Sequence, residues 1–223
     1  MRVAALIFAM FVSAVAAAGQ VVTLKNDIPE SQYLAAEAKA KELLKTANYR
    51  SVWTTEYFED HSKTGNLKER KVIEIIPPDR KRTVEEKFSG SRSRIELIRV
   101  DFAHYIRGDD TPWIKFPGLH GFDIGLEVVG KKNQYSSLPS IDFEGGIADF
   151  YERRSSGKFQ DPAQMDGVYV RAIRTTRLWY SLDGKILKKL EEIMAEGRKQ
   201  MSRETTTYEY DPKDLKIEAP VIK

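Results

Sequence analysis

Cysteine is absent from all 223 residues, which excludes thiol catalysis, cysteine-ligated metals and any disulfide framework. Histidine is scarce: His61, His104 and His120 are the three, and none shares a spacing that would place two ligands on one face. His104 reads as a core-edge histidine, and the His120 and Asp123 pair as solvated groups in a Gly-rich loop. The nucleophile elbow, the P-loop and the dinucleotide fingerprint are all missing. Adjacent carboxylates such as Glu85-Glu86 and Glu191-Glu192 lie in strand-like runs, so each pair should point to opposite faces and cannot share a substrate. These absences leave no enzyme reading and no cofactor or metal to expect. Charge of one sign is missing too. Lys and Arg number 36 against 33 Asp and Glu, a net charge of +3, and the signs are interspersed in "KLEEIMAEGRK" and "TVEEKFSGSR", so no nucleic-acid partner is expected.

Long apolar runs are confined to the beginning. "MRVAALIFAMFVSAVAAAGQ" carries one cation, Arg2, an apolar stretch from Val3 to about Ala16, and small residues at Ala16 and Ala18. That is the pattern of a cleaved secretory signal over residues 1–18, too short for a spanning helix. No cysteine follows it to accept a lipid. Removal of residues 1–18 leaves 205 residues at a formal charge of +2, enough for one domain with its own core over 19–223. An exported chain without disulfides suits a bacterial periplasm, and a monomer is expected.

What is present is mostly strand. One helix precedes the strands: "IPESQYLAAEAKAKELLKTAN" has Ser31 as a candidate N-cap and Leu34, Ala38, Leu43 and Leu44 at roughly helical spacing. Then "YRSVWTTEYFED", "ERKVIEIIP", "KRTVEEKF" and "RIELIRVDFAHYIR" follow with short turn signals between them. Such a succession makes antiparallel neighbours. The last of these runs reads as one long strand whose even positions Ile98, Val100, Phe102, His104 and Ile106 form an apolar face, either core under the helix or the wall of a ligand cavity. Residues 117–166 are dense in Gly, Pro and Ser, with a possible short helix over 147–153; they read as an irregular cover, with Phe122, Ile147 and Phe150 among its apolar contacts. Strands resume in "GVYVRAIRTTRLWYS" and "KILKKLEEIMAE", joined at Asp183-Gly184, a strong hairpin signal, and "QMSRETTTYEYD" makes the third strand of a C-terminal meander. About seven long antiparallel strands and one helix imply an α+β fold. A sheet of that size curls and must bury one face, giving an incomplete barrel on the helix.

The order of these pieces resembles the LolA and LppX superfamily of periplasmic lipoprotein and lipid carriers. The resemblance rests on "ELIRVDFAHYIRGDDTPWIKF", with Trp113 after the Gly108-Asp109-Asp110 turn, on "RLWYSLDGKILKKLEEI", and on "TTTYEYDPKDLKIEAP" with its closing Ile217-x-x-Pro220. It implies a groove for lipid or lipoprotein acyl chains, walled by Trp53, Ile98, Val100, Phe102, Ile106, Trp113, Phe116, Leu178 and Tyr180. Phe122, Ile147 and Phe150 would lie in a lid. One departure stands out: Ile76-Pro77-Pro78-Asp79 has proline where the lipoprotein carrier has a lid-fastening arginine, a role open to Arg80 or Arg82, or to neither. A second role, from another class, is an envelope sensor that binds a membrane protein through the basic and aromatic "YERRSSGKF" and "RAIRTTRLWY". Export predicts a mature chain that begins near Gly19. The intact mass of the protein recovered from the periplasm should lack residues 1–18, and a full-length mass would remove the signal reading.

Overall fold

The computed structural model describes residues 25–59, 64–117, 129–160, 169–195 and 200–222. Residues 1–18, His61, His120, Phe122 and Asp123 lie outside them. Helix α1 spans Glu30–Thr46. It begins one residue before Ser31, because Pro29 already takes the N-cap position with extended backbone and its carbonyl accepts from the Gln32 and Tyr33 amides. The described residues form twelve strands: β1 (Asn26–Asp27), β2 (Tyr49–Tyr57), β3 (Asn66–Ile76), β4 (Arg80–Lys87), β5 (Ser93–Val100), β6 (Ala103–Gly108), β7 (Ile114–Phe116), β8 (Val129–Phe143), β9 (Gly146–Gln160), β10 (Tyr169–Ser181), β11 (Ile186–Ala195) and β12 (Gln200–Tyr210).

They form one antiparallel sheet in the order β1-β8-β9-β10-β11-β12-β2-β3-β4-β5-β6-β7. Two meanders, β2 to β7 and β8 to β12, meet along β12 and β2, where Thr206 faces Trp53 and Tyr210 faces Tyr49. The sheet ends on the two-residue β1 and the three-residue β7, which do not pair with each other, so it is a curled half-barrel left open. Short ends of this kind limit exposed ladder edges. The Asp183-Gly184 hairpin between β10 and β11 forms as its sequence predicts. Gly184 sits at φ +94, a left-handed backbone that disfavours any side chain, and a Cβ there would run into the Lys39 side chain of α1.

Two expectations are corrected. Residues 93–108 are a hairpin, not one strand: the chain turns at Asp101-Phe102, with Asp101 at φ +53, and Ile98 pairs with Tyr105 while Leu97 pairs with Ile106. The alternation therefore inverts across the turn. Residues 129–160 are neither an irregular cover nor, at 147–153, a helix. They are the 15-residue strands β8 and β9, paired from Val129 and Lys158 to Phe143 and Gly146. Only the flanks of the proposed 117–166 cover stay outside the described strands.

The two faces of the sheet differ in what covers them. On the inner face α1 lies over β8 to β12: Tyr33, fully buried, packs with Leu178, Tyr180 and Ile186, and around them stand Tyr135, Tyr151 and Tyr208. On the outer face the residues after β12 fold back over the first meander, and Ile217 is buried against Ile98 and Tyr105 with Val100, Ala103 and Trp113 around it. Elsewhere on the outer face alternating charges run across the strands. Arg50 contacts Glu209, Asp214 and Glu74; Glu74 and Glu96 share Arg82; and Glu96 also takes Arg107, whose guanidinium stacks 4.6 Å from the Trp113 ring. A second ladder crosses the other meander through Lys25, Glu152, Arg177, Glu192, Arg203 and Glu56.

Burial drives the Glu96 carboxyl up, but hydrogen bonds from Arg107 and Arg82 outweigh it and leave the group below its ordinary range; Glu152, held by Lys25 and Arg177, behaves alike. Both folded values are depressed, so this stabilisation is complete above the unfolded carboxylate value of about 4.3 and is lost as pH falls below it through the folded values. Glu96→Ala should leave Arg82 and Arg107 without their shared partner. With the arginines one-third exposed, the loss should be about 2–3 kcal/mol, less than for a fully buried pair. Chemical denaturation at pH 7 measures it, and the deficit should shrink towards pH 3.

Candidate functional site

The inner face has two regions. Under α1 it is closed core. Leu178 and Tyr180, both expected in a groove wall, lie there at 2% and 3% exposure, filling the space beneath the helix. Beyond β12 the same face continues over β2 to β7, away from the helix-covered cluster; its small polar Ser51, Thr55 and Thr83 are buried, while the larger apolar side chains between them stay half-exposed. Rows of directly opposed residues can be read across it, because partners in an antiparallel ladder point to the same side. One row is Tyr208, Ser51, Ile73, Thr83, Leu97, Ile106 and Ile114. The next towards the rim is Tyr210, Tyr49, Ile75, Lys81, Arg99, His104 and Phe116. On the other side runs Thr206, Trp53, Lys71, Glu85 and Ile95. Ile95 and Ile114 expose 37% and 59% of their surface. This is an apolar strip several strands wide, open on the sheet's inner side among the described residues.

The predicted wall residues divide by face. Trp53, Ile106 and Phe116 belong to the open strip; Lys71 stands 5.2 Å over the Trp53 ring, and Phe116 meets His104 edge-on at 5.7 Å. Ile98 and Val100 point the other way, into the outer cluster under Ile217, and Trp113 joins them beneath Arg107. Phe102 is the turn residue itself, 99% exposed, and lies outside the inner-face strip. Of the predicted lid, Phe150 is an outer-face core residue in β9, edge-on to Trp179 at 5.2 Å, while Ile147 opens the same strand opposite Asp142, 55% exposed. Neither is a lid residue, because both are fixed in the β8–β9 ladder. Sequence reasoning missed Ile73, Ile75, Leu97 and Ile114. The alternation of "ERKVIEIIP" held the signal for the first two.

The basic and aromatic segments offered as a protein-binding surface are used within the sheet in part: Arg177 is paired to Glu152 and Glu192, and Trp179 stacks on Phe143 at 5.6 Å, while Arg154, Lys158 and Arg171 are exposed. Arg80, one candidate for the lid arginine, reaches the Ile217 carbonyl at 3.5 Å, and Arg82 is taken up by Glu74 and Glu96. As expected, Glu85 and Glu86 diverge, the first to Lys71 and the second to Arg70; Glu191 and Glu192 likewise reach Lys189 and Arg177 on opposite faces.

The inner face is also where polar groups lack partners. Among the described residues, the buried side-chain atoms without a hydrogen bond are the Tyr33 and Thr55 hydroxyls and the Nε atoms of Arg153 and Arg174. Tyr33 lies over this face, and the other three belong to it. Arg174 Nε stands 3.3 Å from Glu191, an ion pair without a hydrogen bond. Glu204 faces Glu191 on one side and Thr55 on the other. Its carboxyl is raised, first by burial and then by Glu191, with the Trp53 indole hydrogen bond opposing.

No protein-family model matches the chain, and no curated protein matches it. Among solved structures it is similar to LprF from Mycobacterium bovis, at 11% identity over 86% of this chain and 98% of that one, with a TM-score of 0.41. It is also similar to a domain provisionally described as an outer membrane lipoprotein-sorting protein from Vibrio parahaemolyticus, at 9% identity over 81% and 91%, with a TM-score of 0.27. At these values the site has to be read from its own residues.

A raised carboxyl has the opposite sign from the outer ladders. Its cost is absent below the unfolded value of about 4.3 and grows as pH rises from there through the higher folded value. Glu204→Gln should therefore raise the melting temperature by about 2–4 °C at pH 8, equivalent to roughly 1 kcal/mol in a chain of this size, and by little at pH 4. Thermal melts of the two proteins at both pH values test this, and an equal shift at both would remove the buried-charge account.

Proposed function

We propose that this chain is an exported, non-enzymatic carrier or binder of lipids or lipoprotein acyl chains in the bacterial periplasm. The observation that supports it is the half-exposed strip of Ile73, Ile75, Leu97, Ile106, Ile114 and Phe116 on the inner face, beside the region that α1 closes. Apolar surface left open on the inside of a curled sheet has a use if something apolar lies on it in turn. An acyl chain gains about 0.8 kcal/mol for each methylene it removes from water, and a strip spanning β3 to β7 offers room for many. No reaction is needed for that role, only a face that can be wetted and covered reversibly. The sequence resemblance to the LolA and LppX superfamily supports the same reading, and its signal pattern supports export.

A membrane-protein sensor is the second reading: of the segments that suggested it, Arg177 and Trp179 are held within the sheet while Arg154, Lys158 and Arg171 are exposed. The carrier reading predicts that purified, delipidated protein takes up a fluorescent fatty acid. Leu97→Asn, in the middle of the strip, should weaken uptake about tenfold, from lost apolar contact and an amide placed against the chain. Titration by fluorescence measures it, and a wild-type protein that takes up no amphiphile overturns the proposal.

A further inference from the structure

Most glutamates of this sheet are held by cations of neighbouring strands, whereas one directly opposed pair of cations on the inner face has no carboxylate. Lys81 on β4 and Arg99 on β5 are directly opposed in the ladder, so their side chains rise side by side from the same face. Neither makes an ion pair among the described residues. The neighbouring cation Lys71 shows the contrast: it is held by Glu85 at 3.1 Å and Glu69 at 3.6 Å. His104 continues the row beyond Arg99, so three basic groups stand in line with no carboxylate among them. Like charges set directly opposite each other destabilise a sheet. Lys81 is half-buried, and desolvation, then Arg99 and Lys71, push its ammonium below the usual range. The free chain therefore holds an unfavourable pair that a nearby anion would relieve.

The pair lies where such an anion would be useful. Ile75 precedes Lys81 in its row, and the adjoining row holds Ile73, Leu97 and Ile106. Lys81 and Arg99 lie at the ends of β4 and β5 beside the turn at 77–79 and the turn at Asp101-Phe102, so they mark one rim of the apolar strip. We propose that Lys81 and Arg99, with His104 beside them, bind the acidic headgroup, carboxylate or phosphate, of an amphiphile whose acyl chain lies along Leu97 and Ile106. This rests on the carrier reading and adds the headgroup class to it. Arg99 supplies planar paired donors and Lys81 a compact charge, a combination suited to anionic oxygens. A neutral ester headgroup would leave the repulsion in place.

The test is competition at the whole mature, delipidated chain between matched acidic and neutral ligands, read by native mass spectrometry. Hexadecanoic acid should be bound about ten- to a hundredfold more tightly than its methyl ester, the range for charge-assisted contacts. Phosphatidate should be preferred over diacylglycerol if the natural anion is a phosphate, and only the fatty-acid pair should separate if it is a carboxylate. Arg99→Gln and Lys81→Gln should each reduce the preference, and Arg99→Lys should keep much of it. Each glutamine variant should also raise the melting temperature of the ligand-free protein, because it removes the repulsion. A cation with a purely structural role would not couple higher stability to lost selectivity. Equal binding of acid and neutral forms by the wild type overturns the headgroup inference while leaving the carrier reading intact. Binding of neither form overturns both.

Discussion

The structure depends on how a wide single sheet covers the side that its helix does not. One 17-residue helix cannot shield both faces of a twelve-stranded sheet, and the chain has no cysteine with which to staple it. The outer face answers with carboxylates placed between guanidinium groups: Glu74 and Glu96 are 5% and 3% exposed, and each is held by two arginines from neighbouring strands. An arginine in such a ladder contributes twice. Its methylene stem covers apolar surface while its head pairs across the sheet. Cross-strand charge therefore supplies much of the cover that a second layer would otherwise provide, and the inner face is free to be something other than core.

That division explains which features were legible in the sequence. Strands whose alternation is strict, such as "YRSVWTTEYFED" and "KRTVEEKF", and the Asp183-Gly184 hairpin were readable, because period-two patterning and a left-handed glycine are local signals. The turn at Asp101-Phe102 was not. It contains neither glycine nor proline, and Asp101 adopts φ +53 with nothing but its short polar side chain to favour it. A missed two-residue turn reverses the face of everything after it. For that reason Ile106 was assigned beside Ile98 although the two point to opposite sides.

The β8–β9 hairpin was missed for a different reason. Its strands carry Ser136, Ser137, Ser155, Ser156 and Gly157, which read as loop composition, yet Ser155 is almost fully buried and donates to Asn133 at 2.8 Å. Polar strands are tolerated there because their hydrogen bonds close within the sheet. The turn itself did leave a signal. Glu144 and Gly145 both have positive φ, the geometry that a two-residue hairpin loop requires and that an x-Gly pair between two runs announces.

The candidate site was less legible than the fold because it is defined by what is left unpaired, which no local pattern records. An alternating strand looks the same whether its charged residues meet opposite charges across the ladder or meet like ones, since the outcome depends on registers between strands that are distant in sequence. Arg82 and Lys81 are adjacent in the chain, and the strand period sends them to opposite faces. Arg82 meets two glutamates and becomes part of the frame, whereas Lys81 meets Arg99 and does not. The same contrast holds for the buried hydroxyl of Thr55 and the Nε atoms of Arg153 and Arg174, all on the inner face. Setting Lys81 opposite Arg99 costs stability in the free chain, a cost that the proposed anionic headgroup would offset. The outer-face carboxylates Glu74 and Glu96 are each held by two arginines, while on the inner face the buried Thr55 hydroxyl has no hydrogen-bond partner and Lys81 stands opposite Arg99.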